Sequence, residues 1–141
     1  MNWVSNIVLV AKKQGVIRVC VDYCNINLAC PKDNYPTPFN DQIIDECTGT
    51  KIFSLMDDFF GYNQTNILAT DQHKISFIYP LGTFAYTNIP FGLKNVGATF
   101  QRAMSYAFHD IRHIVYPYLE NLLAHSDKCH DHFDHLRAIF L

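Results

Sequence analysis

The sequence predicts an α+β fold, in which an antiparallel sheet carries helices on one face. Residues 5–23 have the pattern of a β-hairpin with its turn at Gln14–Gly15, and the second arm, residues 17–23, alternates apolar positions with Arg18, Cys20 and Asp22. Residues 115–125 form a second hairpin pattern around a polar tip, and residues 97–111 repeat apolar side chains at helical spacing. Because hairpins and helices are mixed along the chain, the strands are expected to form one antiparallel sheet.

The remaining elements follow from turn residues and spacing. Three prolines predict an irregular loop over residues 29–38, and residues 39–47 have helical spacing that ends at Thr48–Gly49. A last helix is expected after Ser126 or Asp127, either of which can cap it. Short strands are predicted over residues 51–58, 74–80 and 84–90.

Length and composition limit the class of protein. A chain of 141 residues is one domain or part of one, and its 49% apolar content argues against disorder. No apolar run approaches the roughly 20 residues of a membrane helix, and no secretion or import signal is recognisable, so the chain is expected to stay where it is made. Five cysteines without a CxxC pair indicate reduced thiols.

Charge and acid placement point in different directions. The net charge of -2, without a long basic run, counts against tight binding to a phosphate backbone. Asp57 nevertheless ends a predicted strand, and Glu120–Asn121 form the hairpin tip. Carboxylates on adjacent strands can hold two divalent cations about 4 Å apart, the arrangement that polymerases use, and Mg²⁺ prefers such hard oxygen ligands.

Six motifs in order make the chain resemble the reverse transcriptase of gypsy-type LTR retrotransposons. It is also similar to short reverse-transcriptase homologues left as retroelement remnants in plant genomes, including mitochondrial ones. The motifs are "IRVCVDYCNIN" with "CPKDNYPTP", "FSLMDDFFGYNQ", "DQHKISF", "PFGLKNVGATFQRAM", "YLENLLAHS" and "HFDHLRAIF".

This resemblance implies a right-hand polymerase fold reduced to a palm with partial fingers and no thumb. It implies a single domain fragment over 1–141, with a fingers hairpin and loop in about residues 1–50 and the palm with part of the fingers in about residues 51–141. The implied activity is RNA-directed DNA polymerisation by two-metal nucleotidyl transfer, with Mg²⁺ or Mn²⁺ as cofactor. The implied partners are an RNA or DNA template-primer and deoxynucleotide triphosphates.

The resemblance also implies residue roles. Asp57, Glu120 and Asn121 occupy the family's catalytic aspartate positions, and Asp57 and Glu120 would bind metal. Lys13 (or Lys12) and Arg18 occupy the positions on the fingers hairpin that grip the triphosphate. Tyr62 occupies the steric gate against the ribose 2′-hydroxyl, and Phe91 and Gly92 lie in the segment beneath the nascent base pair. Tyr118 is the Tyr of the Tyr-x-Asp-Asp box, so all of these are substrate-binding positions by resemblance.

Departures from the family pattern predict an inactive copy. Glu120 moves a carboxylate outward by one methylene, Asn121 removes a charge, and Pro117 deletes a strand N–H. Cys24 and Leu28 stand where the family usually has Arg and Lys. The alternatives are an active enzyme that works with Glu120 and accepts Mn²⁺, a non-catalytic remnant that binds nucleic acid or protein, and a chain that makes little stable protein.

Simpler interpretations of the same residues remain open. Asp57–Asp58 can be a solvated strand end, Phe59 and Phe60 core aromatics, and the cations of the first hairpin an ordinary charged edge. Cys129, His132 and His135 are spaced for zinc, although three ligands on one helix rarely close a tetrahedral site, and the two histidines match a structural helix of the family. The expected location is the mitochondrion if the gene is organellar, and otherwise the cytoplasm or nucleus. The oligomeric state is left open.

Overall fold

A computed structural model describes residues 4–13, 15–57 and 61–141, apart from the side chain of Asn40. The strands are β1 (Val4–Ala11), β2 (Ile17–Val21), β3 (Ile52–Asp57), β4 (Ser76–Tyr79), β5 (Gly82–Phe84), β6 (Val115–Tyr118) and β7 (Asn121–Ser126). The helices are α1 (Cys24–Ala29), α2 (Asn40–Glu46), α3 (Ala69–Gln72), α4 (Val96–Ala107) and α5 (Cys129–Phe140), with short 3-10 turns at Gly61–Gln64, His73–Ile75 and His109–Ile111. None of these helices is long and apolar enough to span a membrane.

The described residues form two compact units. The first unit is the described part of Met1–Asp33 with Tyr62–Val96, and the second is the described part of Asn34–Gly61 with Gly97–Leu141. This division does not coincide with the expected boundary near residue 50. The assignment of fingers and palm within a single domain fragment therefore stays a prediction.

The first unit contains a four-stranded sheet in the order β2-β1-β4-β5. The β1–β2 hairpin is confirmed, with Leu9 opposite Val19, although Gln14 of its expected turn lies outside the described residues. The prediction of a single antiparallel sheet is wrong, because β1 runs parallel to β4 and because β3, β7 and β6 form a separate sheet. Since more than sixty residues separate β1 from β4, the connection is long enough for a parallel crossover.

The second unit contains a three-stranded antiparallel sheet in the order β3-β7-β6. Side chains of β3 alternate: Ser54 lies on the face to which α5 bonds, whereas Phe53 and Leu55 point to the opposite face and are exposed. Val115 and Ala124, which pair with each other across β6 and β7, are completely buried. The core of this unit therefore lies on the helix-covered side of the sheet.

Several boundaries differ from the sequence-based predictions. α1 was not predicted, and the strand expected over residues 84–90 ends at Phe84. Beyond it, the chain is tied to residues 65–67 by the backbone bonds of Ile67 to Thr87 and of Ile89 to Thr65, which replace a regular ladder. α3 was not predicted either, and the other helices and strands lie within a few residues of their expected positions.

Candidate active site

Asp57, Asn121 and Tyr118 form a row across the end of the second unit's sheet. Asp57 is the last residue of β3 and pairs with Asn121, the first residue of β7. Asn121 pairs in turn with Tyr118, the last residue of β6. Because directly opposed residues of antiparallel strands point to the same face, all three side chains lie on the face opposite Ser54. Asp57 is exposed, and the other two are half-buried.

Leu119 and Glu120 form the two-residue turn between β6 and β7. Leu119 adopts a left-handed conformation with φ 51°, which costs a side chain of this kind free energy unless its surroundings hold it there. Glu120 follows directly and adjoins Asn121, so Glu120 lies at the same end of the sheet as Asp57. The sequence-based expectation that the acidic positions meet at one sheet end agrees with this arrangement.

The side chain of Gln101, in α4, forms hydrogen bonds with the backbone at the turn between β6 and β7. Its Nε2 donates to the carbonyl of Pro117 at 2.9 Å, and its Oε1 accepts from the backbone N–H of Leu119 at 2.8 Å. The side chain is 1% exposed, so both bonds lie in a region where unpaired groups are costly. An added Cβ on Gly97, one turn earlier in α4, would meet the side chain of Leu119 at 3.6 Å. We call the Leu119–Glu120 turn the acidic turn. Its shape depends on the buried amide of Gln101, which sequence reasoning missed.

Tyr62, Phe91 and Gly92 lie together in the first unit. The ring of Phe91 meets the ring of Tyr62 edge-on, with centroids 5.4 Å apart and planes at 67°. Gly92 has a φ of 97°, and a Cβ there would lie 3.6 Å from the Tyr23 ring. Three predicted substrate-binding positions are thus neighbours in space.

Comparison with known proteins decides the family. Residues 10–140 match the family described as reverse transcriptase (RNA-dependent DNA polymerase). The chain belongs to the reverse transcriptase family. The Tf2-7 and Tf2-3 transposon polyproteins of Schizosaccharomyces pombe are 30% and 29% identical to it over 135 residues, which is 94% of this chain. The chain spans 10% of the length of these relatives.

Solved structures agree on the fold. The native prototype foamy virus protease–reverse transcriptase superimposes with a TM-score of 0.83 at 20% identity, covering 97% of this chain and 18% of that one. The foamy viral enzyme in complex with an RNA/DNA hybrid gives a TM-score of 0.85 at the same identity and coverage. The mixed α+β fold of this chain is that of a reverse transcriptase polymerase domain.

The family uses divalent metal, and the residues at the sheet end can be compared with that requirement. Asp57 and Glu120 supply two carboxylates, and the position opposite Asp57 holds the amide of Asn121. In the described part of the chain, no three His, Cys, Asp or Glu side chains form a group that could hold a metal ion. Asp58 lies outside the described residues. These donors, two carboxylates and one amide, do not fit a cage of three carboxylates.

The cations that the resemblance assigns to the triphosphate lie on the hairpin of this reverse transcriptase domain. Arg18 is on β2 opposite Val10, and Lys12 donates its backbone N–H to Val16 at 2.8 Å in the connection that also contains Lys13. All three cations are exposed, and none forms an ion pair with another described residue. Exposed cations are compatible with a charged strand edge and with a triphosphate-binding site, so both interpretations stay predictions.

The histidines of α5 take part in a hydrogen-bond network. Both ring nitrogens of His132 lie 2.8 Å from serine hydroxyls, Nε2 from Ser54 and Nδ1 from Ser126. His135 Nδ1 lies 2.7 Å from the same Ser126 hydroxyl, whereas Cys129 is exposed. Because both nitrogens of His132 are already engaged, the structural interpretation of these histidines fits better than zinc binding.

Proposed function

We propose that this chain is the polymerase domain of a gypsy-type LTR retroelement in which nucleotidyl transfer is disabled. The pairing of Asn121 with Asp57 carries the proposal, since the family's pattern requires a second aspartate at that position. An amide oxygen is a poor substitute for a carboxylate, because it brings no charge to offset a cation's lost hydration. Similarity to remnants in plant genomes, and a mitochondrial location for an organellar gene, are parts of the same proposal.

Damage at one position of a catalytic set removes most of the activity of the whole set. Groups that act as a unit fail together, and errors of about 1 Å in position cost about 100-fold in rate. Glu120 adds a second error, because its carboxylate is one methylene farther from the backbone than that of an aspartate. Mg²⁺ is especially intolerant of such displacement, since it demands near-ideal octahedral geometry.

Primer extension tests this proposal. The parent chain and the variant Glu120→Asp/Asn121→Asp are incubated with a homopolymer template, its primer and a deoxynucleotide triphosphate, with Mg²⁺ or Mn²⁺ in separate reactions. The parent chain is expected to give no template-dependent incorporation. Robust incorporation by the parent with either metal would contradict the proposal, and incorporation with Mn²⁺ alone would favour the active, Glu120-dependent alternative.

A second candidate function is binding of an RNA–DNA template-primer without turnover. It is supported by the open sheet face that carries Asp57, on which Leu55 is 72% exposed, and by the fold shared with an enzyme solved on an RNA/DNA hybrid. The same proposal includes binding of deoxynucleotide triphosphates by this chain, besides the template-primer. The net charge of -2 implies weak, salt-sensitive affinity.

Hybrid binding at about 50 mM and about 200 mM salt tests this second candidate. A fluorescent RNA–DNA duplex should bind the parent at low salt and dissociate at high salt. Leu28→Lys, on an exposed position of α1 where the family usually has Lys, should tighten binding and steepen the salt dependence by about one charge. No binding at the lower salt concentration would contradict this function.

A further inference from the structure

Two short segments of the first unit are joined by asparagine side chains. Asn27, in α1, donates from Nδ2 to the carbonyl of Gly92 at 2.7 Å and accepts at Oδ1 from the backbone N–H of Lys94 at 2.8 Å. The side-chain amide of Asn27 therefore binds the backbone on either side of Leu93, in the segment that follows Phe91. The bonded residues are 65 and 67 positions apart in the chain, so these bonds are tertiary contacts.

The side chains of Lys94 and Asn95 bind in the opposite direction, to the backbone of residues 27–33. Lys94 Nζ donates to the carbonyls of Asn27 at 3.3 Å and Cys30 at 3.0 Å. Asn95 donates from Nδ2 to the carbonyl of Pro31 at 2.8 Å and accepts at Oδ1 from the N–H of Asp33 at 3.0 Å. We call this reciprocal set of bonds, from Asn27, Lys94 and Asn95, the amide clamp.

The amide clamp meets a backbone that needs support. Gly92 has a φ of 97°, and the carbonyl that Asn27 binds belongs to this residue. Phe91, directly before it, is 53% exposed, and its ring meets the ring of Tyr62 edge-on. Because the Phe91 side chain is half exposed, the path of the adjacent backbone at Gly92 contributes to where the ring lies.

From this geometry we propose that Asn27 is a positioning residue for template-primer binding. Its amide fixes the Phe91–Gly92 surface, and through the edge contact it fixes Tyr62, in a binding-ready arrangement before any ligand arrives. Preorganisation of this kind improves affinity because less ordering is left for the binding step. The inference rests on the proposed template-primer binding.

The test compares three variants on the parent chain. Asn27→Ala removes both side-chain bonds, and Asn27→Asp keeps an acceptor for the Lys94 N–H while losing the donor to Gly92. Asn25→Ala is the matched control, because Asn25 is an exposed asparagine of the same helix whose side chain forms no hydrogen bond with another described residue. Affinity for the fluorescent RNA–DNA hybrid at low salt is measured for each, together with hydrogen exchange of the Lys94 amide by NMR.

Each variant has a distinct expected result. Asn27→Ala should weaken hybrid binding about tenfold and accelerate Lys94 amide exchange at least about tenfold. Asn27→Asp should weaken binding similarly while Lys94 stays protected, which separates positioning of Gly92 from general loss of structure. Asn25→Ala should match the parent in both measurements.

The outcomes distinguish failure of this inference from failure of the proposed function. If the parent binds the hybrid and both Asn27 variants bind it equally well, Asn27 has no positioning role while template-primer binding stands. If the parent does not bind at all, template-primer binding is contradicted and the role of Asn27 falls with it. Unchanged exchange of Lys94 in Asn27→Ala would also contradict the inference, because the clamp bond would then contribute nothing measurable.

Discussion

The two units of the molecule are stabilised in different ways. In the second unit Val115 and Ala124 have no exposed surface, and the buried side chains of Gln101, Ser126 and His132 are engaged in hydrogen bonds. In the first unit the hairpin residues Leu9, Ile17 and Val19 are 63–66% exposed, and strand ladders with the amide clamp hold the segments together. Among the described residues, the buried apolar side chains of the first unit are Tyr23 and Ile75, whereas six lie in the second unit, so the unit that presents the acidic turn has the larger packed core.

The largest expected effect concerns the buried amide beneath that turn. Gln101→Leu removes the partners of the Pro117 carbonyl and the Leu119 N–H, leaving a buried carbonyl and a partly buried N–H unpaired. The free energy of unfolding should fall by about 3 kcal/mol, since each such group costs roughly 1–3 kcal/mol. Urea denaturation followed by circular dichroism measures this change.

The matched control for Gln101 is Gln42→Leu. Gln42 is exposed and accepts a single 3.3 Å bond from the Phe39 N–H, so its loss should change stability by less than about 0.5 kcal/mol. Equal effects of the two substitutions would show that burial of Gln101 does not matter. The turn would then need another explanation for the left-handed Leu119.

A valine in each unit gives the second comparison. Val115→Ala should destabilise by about 2 kcal/mol, because two methyl groups leave a fully buried site and a cavity forms. Val19→Ala, at a strand position 63% exposed, should stay within about 0.5 kcal/mol of the parent. Similar losses in thermal denaturation would contradict the contrast between a packed and an open unit.

The sequence predicted the parts of this fold that depend on neighbouring residues. Alternation and a turn pair located the first hairpin, apolar runs around a polar tip located the second, and helical spacing with capping residues located α2, α4 and α5, because these signals are local. α1 was missed because its six residues have no apolar stripe, and Asn27 is fixed by partners 65 and 67 positions away. Such tertiary bonds leave no periodic signal in the sequence.

The candidate site shows the same limit. Motif order located Asp57, Glu120 and Asn121, and the register of β3 with β7 brings the first and last of these together. Gln101 was missed because it lies beside the apolar stripe of α4, where a polar residue ordinarily faces solvent. Its partners at Pro117 and Leu119 are 16 and 18 positions away, so its role depends on tertiary structure and leaves no local signal.

The smallest stability effect concerns pH. Burial lowers the pKa of His125 below its usual 6.5, with His135 and His113 acting in the same direction and Asp127 and Glu46 opposing. His125 is 7% exposed, and its Nε2 is buried without a partner among the described residues. Because the unfolded chain takes up the proton first, the stabilisation is complete above pH 6.5 and is lost as the pH falls below it.

His125→Phe isolates that contribution, because phenylalanine can keep the stacking on Tyr116, whose ring centroid lies 5.3 Å away. As the pH falls from about 7.5 to about 5.5, the parent should lose more stability than the variant, because only the parent has a buried imidazole that the unfolded chain protonates more readily. Denaturation midpoints at both pH values measure the difference. Parallel pH profiles would mean that His125 titrates alike in the folded and unfolded chain.

The central claim is that the sheet end formed by Asp57, Glu120 and Asn121 lacks the negative charge to hold a pair of divalent cations. Isothermal titration of Mn²⁺ into the parent chain and into Glu120→Asp/Asn121→Asp tests it directly and does not depend on turnover. The parent should bind one ion weakly, and the variant should bind more tightly because it presents a third carboxylate on the same sheet end. Two tightly bound ions in the parent chain would contradict the account.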